Sequence, residues 1–220
     1  VDFNVAIFAV FDLFGIPVWL TQTIVNMYIV MAILIVFAIV VRVKITYTDK
    51  PTGFQNVVEM MVEMFDRLVR QAAGEKLAYL GNWFFMVFSF ILLSNMGGIF
   101  FRPPTADWAV TFPLAFVSFL LIQAMGFQHD RKGYLMSLLN PLNIIGELAR
   151  PIALSFRLFG NILAGMILMS LLYNMVPWPI LIGIPVPLHA YFDLAMGALQ
   201  AYIFTILSLS FIGVMAKTTE

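Results

Sequence analysis

Residues 142–176 read LNIIGELARPIALSFRLFGNILAGMILMSLLYNMV, a run of 35 residues with only three charges, Glu147, Arg150 and Arg157. As one helix it would be roughly 50 Å long at ~1.5 Å per residue. The hydrocarbon core of a bilayer is about 30 Å thick. Such a mismatch is relieved by tilt, by a kink or by projection into water. Projection would expose many apolar side chains, so the length predicts a strongly tilted membrane helix. Asn143, Glu147, Arg150, Leu154, Arg157 and Asn161 recur at alternating steps of four and three, which is one helix face, polar but for Leu154. A charge at membrane depth costs at least ~2.5–3.5 kcal/mol for arginine on an insertion scale and by default marks function.

The rest of the chain has the same character. Of 220 residues 62% are hydrophobic and 11% charged, against about 25% charged in a soluble domain. This composition indicates an integral membrane protein. Zero net charge offers no basic field for nucleic acid, and the absence of Cys rules out disulfides and thiolate chemistry. Two His with no Cys is too little for a metal cluster. No G-x-x-x-x-G-K-[ST] phosphate cradle is present. No basic stretch with a cleavage site marks a secretory leader near Val1.

Apolar runs near the required ~20 residues predict an all-α polytopic fold in a single membrane domain, 1–220, with five crossings. The first span is 24–43. The second and third, 77–101 and 108–128, form a hairpin. The fourth and fifth, 142–176 and 188–216, form a long tilted hairpin whose turn carries Pro177-Trp178-Pro179. Between the first two spans, residues 54–71 place Glu59, Glu63, Asp66 and Arg70 on one face. Val58, Met61, Val62, Phe65, Leu68 and Val69 fall on the other. This predicts an amphipathic helix on the inner membrane surface. Arg42, Lys44, Lys50, Arg67, Arg70 and Lys76 crowd the first loop, Arg131 and Lys132 the third, and Lys217 the tail. Basic residues mark the cytoplasmic side, so the N-terminus is expected outside and the C-terminus inside.

On the fifth span His189, Asp193, Gly197 and Gln200 recur on one face. Gly160/Ala164 and Gly197/Ala201 are small residues four apart, which allow helix backbones to approach closely. Folding the last two helices back antiparallel sets Arg157 at the level of Gln200. Asn161, Asp193 and His189 then lie toward one membrane face, and Asn143, Glu147 and Arg150 toward the other. Arg157 either separates two polar paths or pairs with Asp193 or Glu147 as interhelical glue. A transporter with a midplane site is a third reading, disfavoured by the lack of a repeat.

Three stretches carry a family resemblance. They are Arg150-Pro151 with Arg157-Leu158-Phe159-Gly160-Asn161 and Ala164-Gly165, Leu199-Gln200-Ala201-Tyr202-Ile203-Phe204, and Pro51-Thr52-Gly53-Phe54-Gln55-Asn56. Together they resemble subunit a of the bacterial F-type ATP synthase, in order, from about Asn26 to Ala216. The resemblance implies a non-catalytic stator in the bacterial plasma membrane. Its partners would be a rotating ring of c subunits, peripheral-stalk b subunits and the lipid bilayer, and it would carry H⁺ or Na⁺ without a cofactor. Arg157 matches the family's essential arginine, and Asn161 and Gln200 its polar neighbours. Some relatives carry a Glu five residues past the Asn and a His at the place of Asp193. Here those positions are Met166 and Asp193, which makes Asp193 the expected outer-channel carboxylate. His189 is expected beside it, and Asn143, Glu147 and Arg150 on the inner path.

Overall fold

The computed structural model describes residues 7–13, 16–45, 53–129, 140–175 and 183–217. The Asp49-Lys50-Pro51-Thr52 opening of the first loop, the basic stretch Asp130–Gly133 and the Pro177-Trp178-Pro179 turn lie outside these residues.

The chain opens with a feature that the uncharged run from Leu13 to Val41 did not suggest. Strand β1 (Ile7–Leu13) pairs antiparallel with β2 (Ile16–Thr21), with Val10 opposite Trp19 and a register shift between Ile7 and Ala9. Aromatic and β-branched residues suit a pleated strand, and Pro17 is tolerated because every strand of a two-stranded sheet is an edge. The hairpin ends where Thr21 becomes the N-cap of α1 (Gln22–Lys44), its hydroxyl accepting from the Ile24 N–H at 3.4 Å. The helix ends with Arg42 and Lys44 in its last turn, where they complement the negative end of the dipole. Only Thr23, Asn26 and Val30 are buried. This narrow stripe is fastened by Asn26 Nδ2, which donates to the Arg102 carbonyl at 2.8 Å.

Helix α2 (Phe54–Ala73) has three faces. Val58, Phe65, Val69 and Ala73 are buried against the bundle. Glu63 and Arg67 form an exposed ion pair on the polar face, and Arg70 pairs with Glu75 beyond the helix end. Phe54, Val57, Met60 and Met64 make an exposed apolar stripe. A helix with core, water and lipid sides suits a membrane surface. It stops at Gly74, whose φ of +91° favours glycine.

The remaining helices make the bundle. A 3₁₀ turn (Glu75–Leu80) leads into α3 (Gly81–Met96), and a second (Gly97–Ile99) closes it. Next come α4 (Trp108–His129) and the unbroken 35-residue α5 (Pro141–Met175). Pro151 lies inside α5 and Pro113 inside α4. A five-residue α6 (Pro185–His189) runs through a π-helical segment (Ala190–Met196) into α7 (Gly197–Lys217). Five stretches are long and apolar enough to cross a membrane: Gln22–Lys44, Leu77–Ile99, Trp108–Gln128, Pro141–Met175 and Pro185–Val214. The protein is therefore an all-α polytopic membrane protein carrying a small terminal hairpin.

Helix α7 is the hub, packed on α2, α3 and α4 and less extensively on α5. One core cluster joins Phe65 and Val69 of α2 to Phe84, Ile122, Leu209 and Ile212. A second joins Val87 and Ile91 of α3 to Ala115, Leu154, Leu158, Ala201 and Phe204. Lipid is as apolar as these side chains, so close packing rather than escape from water holds the helices together. Two glycines of α7 show how close the packing is. A Cβ on Gly197 would come within 2.8 Å of the Asn95 Cβ, and one on Gly213 would strike the Ala72 carbonyl oxygen. Gly160 behaves differently: apart from the backbone of its own helix turn, no described atom lies within 4 Å of where its Cβ would be, and Ala164 is exposed. The small pair on α7 thus serves packing inside the chain, whereas the pair on α5 faces outward.

Candidate functional site

Three cross-contacts set the register of α5 against the last helix. Tyr173 meets His189, a Cβ on Gly165 would meet the Phe192 ring at 3.3 Å, and Leu154 and Leu158 share a cluster with Ala201 and Phe204. The helices run antiparallel, and the turn around Arg157 lies beside the turn around Gln200.

At one end of α5 sits a closed polar cluster. Glu147 is buried, and its Oε2 accepts from Arg150 Nη1 at 2.8 Å and from Gln123 Nε2 of α4 at 3.0 Å. The Arg150 guanidinium lies 4.8 Å from the centroid of the Phe211 ring on α7. A buried carboxylate is tolerable only when paired and hydrogen-bonded. Here the cation and the amide supply both, and the aromatic face adds a cation–π contact. The carboxylate joins α5 to α4, and the Arg150 guanidinium extends the link to α7. Asn143, a turn earlier, is exposed.

Two turns further along α5, Arg157 is in a different situation. The buried stripe of α5 runs through Pro151, Leu154, Ser155, Leu158, Ile162 and Gly165. At 3.6 residues per turn, Arg157 lies about a third of a turn away from that stripe. The neighbouring residues fix this rotation. Ser155 Oγ lies 3.4 Å from Thr111 Oγ1 of α4, and the rings of Phe156 and Phe159 pack on Trp108 at 4.2 and 6.0 Å. Arg157 is left exposed and makes no ion pair or hydrogen bond among the described residues. The pairing with Asp193 or Glu147 that sequence allowed is not made, since each carboxylate has another partner. Asn161, one turn on, is half-buried and likewise makes no side-chain hydrogen bond among the described residues. On the facing helix Gln200 is buried, and its Nε2 has no partner among the described residues.

The third group lies toward the other end. His189 Nδ1 is 2.6 Å from Asp193 Oδ2, and His189 Nε2 is 3.1 Å from the Tyr173 hydroxyl. Asp193 sits on the π-helical segment, a form that recurs at functional sites. Its carboxylate closes over Gly98, where a Cβ would meet Oδ1 at 3.1 Å. Just beyond, Asn95 Nδ2 donates to the Gly197 carbonyl at 3.1 Å, and Asn95 Oδ1 accepts from Thr105 Oγ1 at 2.6 Å. That network holds the helix where the π segment ends. No group of three or more His, Asp or Glu able to hold a metal ion occurs among the described residues.

The eight residues singled out from sequence thus separate into three groups. Glu147 and Arg150 meet each other, with Asn143 exposed nearby; His189 meets Asp193; Arg157, Asn161 and Gln200 make no such contacts. Gln123 and Tyr173 were missed. Each is a polar side chain in an apolar run, as Gln200 is, but neither falls on one of the two polar stripes.

The family model described as the ATP synthase A chain matches residues 24–213. The chain is 35% identical over 228 residues to the ATP synthase subunit a of Limosilactobacillus reuteri, covering 92% of this chain and 94% of the relative. It is 31% identical over 212 residues to that of Moorella thermoacetica, covering 92% and 93%. Identity is 32% over 237 residues to the protein of Propionigenium modestum named ATP synthase subunit a, sodium ion specific, covering 96% and 78%. A match that spans all five apolar helices and every residue of the three polar groups places the chain in one family: it belongs to the ATP synthase A chain family, the subunit a of the F-type ATP synthase.

Proposed function

We propose that this subunit forms two offset ion paths, separated by Arg157, that unload and reload a ring of c subunits, and that it makes no ATP itself. The family places the chain in the membrane portion of the synthase, where ions are translocated. The observation that carries the finer reading is the unpartnered, exposed Arg157 between two polar clusters whose own charges are satisfied. An arginine in an apolar belt is costly and stays protonated, so it calls for a counter-charge, which none of the described residues supplies. A carboxylate on each ring subunit supplies it. Gly160 and Ala164, open on α5 one and two turns beyond Arg157, leave room for another helix to approach closely.

The mechanism follows from charge. A ring carboxylate facing lipid must be neutral, with its ion bound, because a bare charge in hydrocarbon is prohibitive. Beside Arg157 the ionised form is favoured, so the ion leaves through the path at Glu147, Gln123 and Arg150. The emptied carboxylate passes Arg157 and is reloaded from the path at Asp193. By helix rise, Glu147 is roughly 15 Å along α5 from Arg157. Asp193, beside the Gly165 level, is roughly 12 Å away in the other direction. The fixed charge repels a free cation, so an ion crosses only by riding the ring. At 100 mV each elementary charge contributes ~2.3 kcal/mol toward rotation. The distribution of basic residues puts Asp193 on the outer path and Glu147 on the inner, with the N-terminus outside. Peripheral-stalk b subunits would hold the chain against the torque.

The test is ATP-driven ion uptake, together with passive leak under an imposed voltage, in vesicles carrying the whole complex with Arg157→Ala. Loss of coupled uptake is expected; wild-type uptake would overturn the reading.

A further inference from the structure

We propose that Tyr173 is a further member of the outer path, and that Tyr173, His189 and Asp193 act as one proton relay that delivers H⁺ rather than Na⁺ to the site beside Arg157. The inference rests on the reading of Asp193 as the loading carboxylate. Three side chains from two helices meet end to end: the phenol oxygen lies 3.1 Å from Nε2, and Nδ1 lies 2.6 Å from Oδ2. Exposure falls along the same line. Tyr173 is 49% exposed, the His189 side chain 32% and the Asp193 side chain 18%. The line therefore runs from an accessible hydroxyl to a largely covered carboxylate. Gly98 beneath Asp193 and Phe192 against Gly165 hold the π segment that carries it.

The proton balance closes without a co-reactant. With Nδ1–H donated to Asp193 and the phenol O–H donated to Nε2, a proton from outer water attaches to the phenol oxygen. The phenol proton passes to Nε2, and the Nδ1 proton passes to Oδ2. Tyr173 is restored, Asp193 is neutral and ready to give its proton to a ring carboxylate, and His189 is left as the other tautomer. Loss of the Nε2 proton to water and gain of one at Nδ1 resets the ring, which its exposure permits. A hydrogen-bonded line of this kind passes protons, whereas a hard cation takes several oxygen ligands, and the Asp193 oxygen that would be one of them is held by the His189 imidazole at 2.6 Å. Of the packed elements, Gly81–Ile99 carries no charge, Arg102 adjoins Pro103, which packs at the same Gly98 position as Asp193, and on α5 the nearest charged residue to Tyr173 is Arg157, roughly 24 Å away by helix rise.

The experiment uses the intact complex in vesicles, with a pH dye and ²²Na⁺ uptake followed in parallel during ATP hydrolysis. The wild type should acidify the lumen without taking up sodium. His189→Ala should slow acidification on the order of 100-fold, the low end of what a positioned proton-transfer group contributes, and added imidazole should restore much of it. Tyr173→Phe, which keeps the ring and removes the hydroxyl, should slow it less. If His189→Ala fails to assemble, His189→Gln, which retains hydrogen bonding but cannot shuttle a proton, decides. Wild-type acidification by that variant, or slowing of His189→Ala without imidazole rescue, would overturn the relay. Sodium uptake without acidification would overturn it too while leaving the Arg157 reading intact. Uptake of neither ion by the wild-type complex would overturn the underlying reading instead.

Discussion

Arg150 and Arg157 lie two turns apart on one helix, yet the fold treats them in opposite ways. Arg150 is folded into the chain, with a carboxylate at 2.8 Å and an aromatic ring at 4.8 Å. Arg157 is turned outward with neither. The difference comes from rotation about α5, which is set by Ser155, Leu158 and the Phe156/Phe159 contacts with Trp108. A charge that a protein satisfies internally holds that protein together. A charge left unsatisfied in an apolar belt prepares a contact with something else. Arg157→Ala should therefore fail in transport with stability intact, whereas Arg150→Ala should lower stability as well as disturb the inner path.

The largest effect is expected at Arg157. Removing one partner of a buried charge pair costs about 3–5 kcal/mol, which corresponds to a fall in coupled transport on the order of 10²–10⁴. Because Arg157 makes no contact of this kind among the described residues, Arg157→Ala should leave the thermal stability of the isolated subunit unchanged. Arg150→Ala should do the reverse, lowering stability by about 2–3 kcal/mol, less than a wholly buried pair because the side chain retains some water. Thermal denaturation of the two purified variants side by side would expose a failure of the comparison. The double variant Glu147→Gln with Arg150→Met removes both charges, and since replacing a whole pair is often near neutral, it should recover most of the loss. Gln123→Leu removes one of the two donors to a buried carboxylate and should cost about 1–2 kcal/mol, the smallest shift of the set. If Gln123→Leu destabilised more than Arg150→Ala, the amide rather than the cation would be the main support of Glu147.

Sequence showed some of this plainly. The five spans and the amphipathic α2 were legible because uninterrupted apolar runs of about 20 residues and a three-to-four residue polar period have few other physical solutions. The β-hairpin was not, because no charge separates it from the span that follows. Gly15, Pro17 and the capping Thr21 were the only punctuation. The π segment left no trace in the spacing, since a single i→i+5 turn reads like any other helical stretch. Among the site residues, the stripe from Asn143 to Asn161 was read as one face, but that face straddles a boundary, with Leu154 buried and Arg157 exposed. Periodicity identifies a face; packing by other helices decides which part of it meets the chain. Gln123 and Tyr173 escaped notice for a related reason. Their partners lie 24 and 16 residues away on other helices, and spacing within one helix cannot reveal them.

The most direct test of the central claim is whether the Arg157 face touches a ring subunit. The chain has no Cys, and the Gly160 position is open to at least 4 Å, so Gly160→Cys introduces a single thiol one turn from Arg157. Oxidation of the intact complex, with a second thiol placed next to the ring carboxylate, should yield a covalent a–c product, whereas Ala201→Cys, on the buried side of α7, should yield none. A product from Ala201→Cys and none from Gly160→Cys would mean that the outward face of α5 is not the one the ring meets, and the account of Arg157 would fall.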